Sequence, residues 1–148
     1  MPIEQTPEQL RSLLNELRKL ANETEWVEFK QNNDHVPMIG EYISALANSA
    51  ALIGKESAYM VWGIDNNDHS IMGTDFKPKQ ERYKQQELES WLLQKISPKI
   101  TFRFYELSVE VIGDQEQAEV KNVVILEIQA AIHIPVQFDG TEYIRIGS

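Results

Sequence analysis

Residues Tyr59-Met-Val-Trp-Gly-Ile64 form a nearly continuous apolar run. A run of that length without polar alternation reads as a strand buried in a sheet, not one with a solvent face. The rest of the chain must therefore supply its cover. Thr6-Pro7-Glu8-Gln9 marks a helix start: Thr6 caps, Pro7 suits the first helical position, and Gln9 completes a capping box. Leu10, Leu13, Leu14, Leu17 and Leu20 follow on one helical face, which predicts a helix over 7–21 packed on the body. Val27 and Phe29 alternate with Trp26, Glu28 and Lys30, a first strand. Residues 38–53 are predicted helical, with Ile39, Ile43, Leu46, Ala47 and Ala50 inward and Gly54 as the stop.

Downstream, 65–68 reads as a turn and 70–73 as a short return strand. Residues 81–97 are predicted helical, with Leu88, Trp91, Leu92 and Ile96 on the core face and Pro98 ending the helix. Strands are predicted at 100–105, 108–112 and 120–129. Asp139-Gly140 is a hairpin turn between 136–138 and 141–146. Early helices and late antiparallel strands predict an α+β fold, a mixed β-sheet with about three helices.

The 148 residues suit a single domain over 1–148, the helix at 7–21 leading into a core over 23–148. The end at Gly147-Ser148, directly after a strand, suggests a domain cut from a longer protein. There is no cysteine, so disulfides and thiolate metal sites are excluded. No apolar run approaches the roughly 20 residues that span a bilayer, and the N-terminus lacks a signal-peptide pattern. A cytoplasmic protein without a membrane partner is expected. The net charge of −9 opposes broad contact with a polyanion. It is unevenly spread, however: residues 76–103 hold seven bases and three acids, between two acidic ends.

Two constellations carry candidate chemistry. Glu23, Glu28, Lys30 and Asp65 form the first. Mg²⁺ and Mn²⁺ take oxygen ligands and often only two or three carboxylates, leaving positions for water and phosphate. Glu28 and Lys30 share a strand face, where Lys30 would meet a phosphate. Glu23 lies at an odd offset and joins Glu28 only if the chain turns between Asn22 and Trp26. From spacing alone, solvated strand-edge charge is the commoner origin of such a pattern. The second is Lys77, Lys79, Arg82 and Lys84, flanked by Phe76 and Tyr83. Cations interleaved with aromatics can track a phosphate backbone and stack on bases, and a solvated loop leading into a helix is an equally common use of them. His35, His69 and His133 share no zinc-ligand spacing. No serine elbow, P-loop or dinucleotide fingerprint is present.

Six segments in order resemble the Schlafen AlbA-like domain family. They are Glu23-x4-Glu28-Phe-Lys30, Ile43-Ser-Ala-Leu-Ala-Asn48, Tyr59-Met-Val-Trp-Gly-Ile-Asp65, Ile71-Met-Gly73, Ile96-Ser-Pro98 and Tyr143-Ile-Arg-Ile-Gly-Ser148. The resemblance implies an α+β domain that binds DNA or RNA in a bacterial transcriptional regulator. Ribonuclease members imply an alternative, a metal-dependent endoribonuclease acting on structured RNA. In that case Glu23, Glu28 and Asp65 would hold Mg²⁺ or Mn²⁺ with Lys30 as the accompanying base, and no organic cofactor is expected. The chain departs from the pattern twice. A Gly-Gly after the Asn-containing helix is absent, and Asn66 replaces an acid that often follows the aspartate. The first change alters a loop; the second removes a candidate ligand. The family's vertebrate nucleases carry two such lobes, so a comparable groove here would need a homodimer. The strong acidity also leaves room for a third function, a protein-interaction or oligomerisation module.

Overall fold

The structure is a computed structural model that describes residues 4–20, 24–32, 35–113 and 115–145. Helix α1 spans Pro7–Arg18 and opens with the expected capping box: the Gln9 amide donates to Thr6 Oγ1 at 3.2 Å, and the Thr6 amide donates to Gln9 Oε1 at 2.9 Å. It ends at Arg18, short of the predicted 21, and buries Leu10, Leu14 and Leu17. Strand β1 is Val27–Lys30 and β2 is Ser57–Trp62. Between them α2 runs Val36–Leu52, starting two residues before the predicted 38, because Pro37 is tolerated in a first turn that needs no amide donor. Its end is a Schellman motif. Gly54 takes φ +76°, its amide donates to the Ala51 carbonyl at 3.3 Å, and the Lys55 amide donates to Ala50 at 2.9 Å.

β1 and β2 pair in parallel, Glu28 opposite Met60 and Lys30 opposite Trp62. The long hairpin of β6 (Phe102–Ile112) and β7 (Ala118–Gln129) completes a mixed four-stranded sheet in the order β1-β2-β7-β6. The strands predicted at 100–105 and 108–112 are thus one, since β7 pairs with it without a break. The predicted return strand is a single bridge from Ile64 to Ile71. The apolar run is buried on both faces. Met60 and Trp62 join the core under α2 and under α3 (Leu88–Lys95), while Val61 joins Phe29 and Ile125 in the core under α1. The residue before the cap ties α1 to the sheet: Gln5 Nε2 donates to Glu127 Oε2 at 2.8 Å, beside the Tyr59 hydroxyl at 3.3 Å. Burial first, then the Glu127 charge, pushes the Tyr59 phenol up to about 12.

The predicted helix over 81–97 is corrected. Residues 82–87 form a hairpin, β3 (Arg82–Tyr83) with β4 (Gln86–Glu87), before α3 starts at Leu88. Leu88 is the first residue of the predicted helix to be fully buried, and Tyr83 instead packs on Trp91 with ring centroids 4.6 Å apart. A helix through 81–87 would have had little to bury. The turn residues Lys84 and Gln85 both take positive φ, +48° and +67°, a conformation that costs a non-glycine residue about 1 kcal/mol. A small sheet of β5 (Ile96–Ser97), β8 (Gln137–Phe138) and β9 (Thr141–Glu142) closes the α2 side. The Asp139-Gly140 turn joins β8 to β9 as expected. Among the described residues, no helix is long and apolar enough to cross a membrane.

Candidate functional site

Strand alternation sends Val27 and Phe29 into the α1 core, so Glu28 and Lys30 face the α2 side. Glu28 is only 4% exposed. A carboxylate so far from water needs paired charge to remain ionised. Two cations provide it. Lys30 Nζ lies 3.2 Å from Glu28 Oε2, and Arg145 Nη1 donates to Oε1. Lys30 also lies 5.0 Å from the centre of the Tyr42 ring. Burial alone would lower the proton affinity of Lys30. The Glu28 charge and the Tyr42 hydroxyl outweigh it and hold the ammonium above the usual lysine range. A cleft of about 590 Å³ opens beside the pair, lined by Met38, Glu41, Tyr42 and Tyr143.

Arg145 reaches Glu28 because α2 carries three buried polar residues on an otherwise apolar inner face. Asn48 Nδ2 donates to the carbonyls of Val136 and Tyr143, each at 2.9 Å, and Asn48 Oδ1 accepts from the Val136 amide at 2.7 Å. Ser44 Oγ donates to the Val136 carbonyl at 2.8 Å and accepts from the Tyr143 amide at 3.0 Å. Ser49 Oγ accepts from the Arg145 amide at 2.9 Å and donates to its carbonyl at 3.0 Å. These bonds lay the segment 143–145 along α2 like an added strand, aiming the guanidinium at Glu28. Sequence reasoning missed Arg145 as a partner of Glu28. The available signal was the polar set Ser44, Asn48 and Ser49 among inward aliphatic residues.

Asp65 follows β2 at the same end of the parallel pair as Lys30, whose carbonyl accepts from the Gly63 amide at 2.7 Å. Its Oδ1 accepts from the amides of Asn67 at 2.7 Å and Asp68 at 3.2 Å, and its Oδ2 accepts from Gln31 Nε2 at 3.3 Å. Asp65 therefore shapes its own turn as well as lying beside the end of β1. Glu23, the remaining acid of the expected metal set, lies outside the described residues. Among the described residues, no three His, Asp or Glu side chains gather to hold a metal ion. Glu28 is thus held by two cations, and Asp65 by the amides of its own turn.

Lys77, Lys79, Arg82 and Lys84 are all exposed, and none joins a salt bridge among the described residues. Their backbone is well anchored. Phe76 is buried against Trp62, ring centroids 4.8 Å apart, and the Lys79 amide donates to Glu106 Oε2 at 3.1 Å. Arg82 Nη2 braces the turn by donating to the Gln85 carbonyl at 2.7 Å. Acids are interleaved: Glu87 pairs across from Arg82, and burial raises the Glu89 carboxyl against the pull of Lys79.

A protein-family model described as Schlafen, AlbA_2 matches residues 23–148. No curated protein matches the chain significantly.

Proposed function

The chain belongs to the Schlafen, AlbA_2 family, and on that premise we propose that it binds nucleic acid through Lys77, Lys79, Arg82 and Lys84. Family membership is compatible with nucleic-acid binding. The observation that carries the proposal is that these four cations are exposed, free of salt bridges among the described residues, and held on an anchored loop and hairpin. Unpaired surface cations release counterions on meeting phosphates, which is the main driving force of such binding. The resemblance extends the reading to a bacterial transcriptional regulator, and the lack of cysteine and of a signal-peptide pattern fits a cytoplasmic one. Lys77→Gln with Lys79→Gln should weaken binding to duplex DNA or structured RNA and lower the salt slope by about two. Anisotropy titrations across salt concentrations read both quantities. An unchanged slope removes these residues from the interface. No binding at low salt, beside a stable dimer in sedimentation, would favour an interaction module instead.

A second reading, a divalent-metal-dependent endoribonuclease, is favoured by one observation. Glu28 and Lys30 are in contact on β1, and Asp65 emerges beside the end of the same strand. It expects cleavage of structured RNA in Mn²⁺ or Mg²⁺ that is lost in Asp65→Asn, a change that keeps the turn's acceptor oxygen. Cleavage persisting in that variant or in EDTA would rule it out.

A further inference from the structure

Helix α1 is too short to cover its side of the long β6–β7 hairpin. The 11 residues of β6 extend about 37 Å, whereas the 12 residues of α1 extend about 18 Å. Burial on that face of β6 fades accordingly. Tyr105, Leu107 and Val109 are buried with the helix, Val111 is half-buried, and Glu119 across from it is exposed. A groove of about 1100 Å³ opens there between α1 and the far end of the hairpin. Leu14, Ile71, Val109 and Val111 give it an apolar lining. On its far wall Lys121 pairs with Glu119 at 3.5 Å, which leaves that wall neutral. Glu110 lies on the other face of β6, since Val109 and Val111 take the groove side.

The helix wall is cationic. α1 contributes Arg11, Asn15 and Arg18 beside Leu14, and neither of its two glutamates. Arg11 and Arg18 stand about 10 Å apart along the helix axis. Arg18 is half-buried and held in place: its Nε donates to the His69 carbonyl at 2.7 Å, and His69 Nδ1 lies 3.1 Å from the Arg18 carbonyl. In a chain with 23 acids and 14 bases, neither arginine joins a salt bridge among the described residues. A fixed guanidinium without an acid of its own suits a carboxylate from elsewhere, because little side-chain order remains to be lost on pairing.

Two such cations beside an apolar strip, on a sheet face only half covered by a helix, are complementary to a second helix. Its carboxylates would be seven residues apart, with aliphatic residues between them. We infer that the groove between α1 and the far end of the β6–β7 hairpin binds an acidic amphipathic helix of a partner protein, its carboxylates at Arg11 and Arg18 and its aliphatic face on Ile71, Val109 and Val111. A second copy of this chain does not supply that helix among the described residues, since α1, α2 and α3 already bury their own apolar faces. The groove and the loop of Phe76 lie on opposite sides of the sheet, so this surface is independent of the nucleic-acid reading.

The test is a displayed library of amphipathic helices about 18 residues long, with leucine fixed on one face. Two positions seven residues apart on its border are drawn from Glu, Gln and Lys. Selection against the unaltered protein should enrich Glu at both, and the same peptide with Gln at both should bind at least roughly tenfold more weakly. Selection against Arg11→Glu should exchange Glu for Lys at one position and keep it at the other. Arg11 is exposed, so this variant should fold as before, which its melting temperature checks. No selected helix, no charge preference, or Glu at both positions against Arg11→Glu overturns the inference. Dimerisation of the unaltered protein that Arg11→Glu abolishes would assign the groove to a second copy. Duplex DNA affinity that falls in Arg11→Glu would assign it to nucleic acid. Either result also overturns the partner helix.

Discussion

Arg145→Met is expected to destabilise the fold by about 3 kcal/mol, because removing one partner leaves a buried charge under-compensated. Glu28 is 4% exposed and is held between the Arg145 guanidinium and Lys30. Methionine retains most of the apolar stem and deletes only the charge and its donors. In a chain of 148 residues such a loss lowers the melting temperature by roughly 6–12 °C. Adding Glu28→Gln should recover part of it, since the uncompensated carboxylate is then gone. A loss below about 1 kcal/mol in chemical denaturation would mean that Lys30 alone suffices for Glu28.

The second large effect is expected at Asn48. Alanine there deletes three hydrogen bonds, to the Val136 amide, the Val136 carbonyl and the Tyr143 carbonyl. Asn48 is itself 8% exposed, so the abandoned backbone groups have little access to water. Each such group costs about 1–3 kcal/mol, and a total near 4 kcal/mol is expected after partial relaxation. Asn48→Asp should cost less in the acceptor's place but lose both donated bonds. Because Asn48 also holds the segment that presents Arg145, Asn48→Ala and Arg145→Met should be strongly non-additive. Additive losses in a double-mutant cycle would show that the helix does not position the guanidinium.

Local features of this fold were legible in the sequence, and contacts distant along the chain were not. The capping box of α1, the inward face of α2, its Gly54 stop and the Asp139-Gly140 turn follow from residues within a few positions of one another. The β3–β4 hairpin was hidden because Lys84-Gln85 carries no turn residue and its support, the Tyr83–Trp91 contact, comes from the next helix. At the site, strand alternation placed Glu28 and Lys30 on one face, and the structure puts them 3.2 Å apart. Arg145 stands 117 residues from Glu28 and reaches it only through the polar residues of α2. Nothing in local periodicity links those segments. The six ordered segments were the better guide, because they include β1, the Asn48 helix and the Arg145 segment that meet in the fold.

The most direct test of nucleic-acid binding is a salt titration of duplex DNA affinity for the unaltered protein and for a variant carrying Lys77→Glu, Lys79→Glu, Arg82→Glu and Lys84→Glu. The account predicts that the unaltered protein's affinity falls steeply with salt, while the variant binds at least roughly a hundredfold more weakly at low salt with a nearly flat dependence. Equal affinities and equal slopes for the two proteins would contradict it.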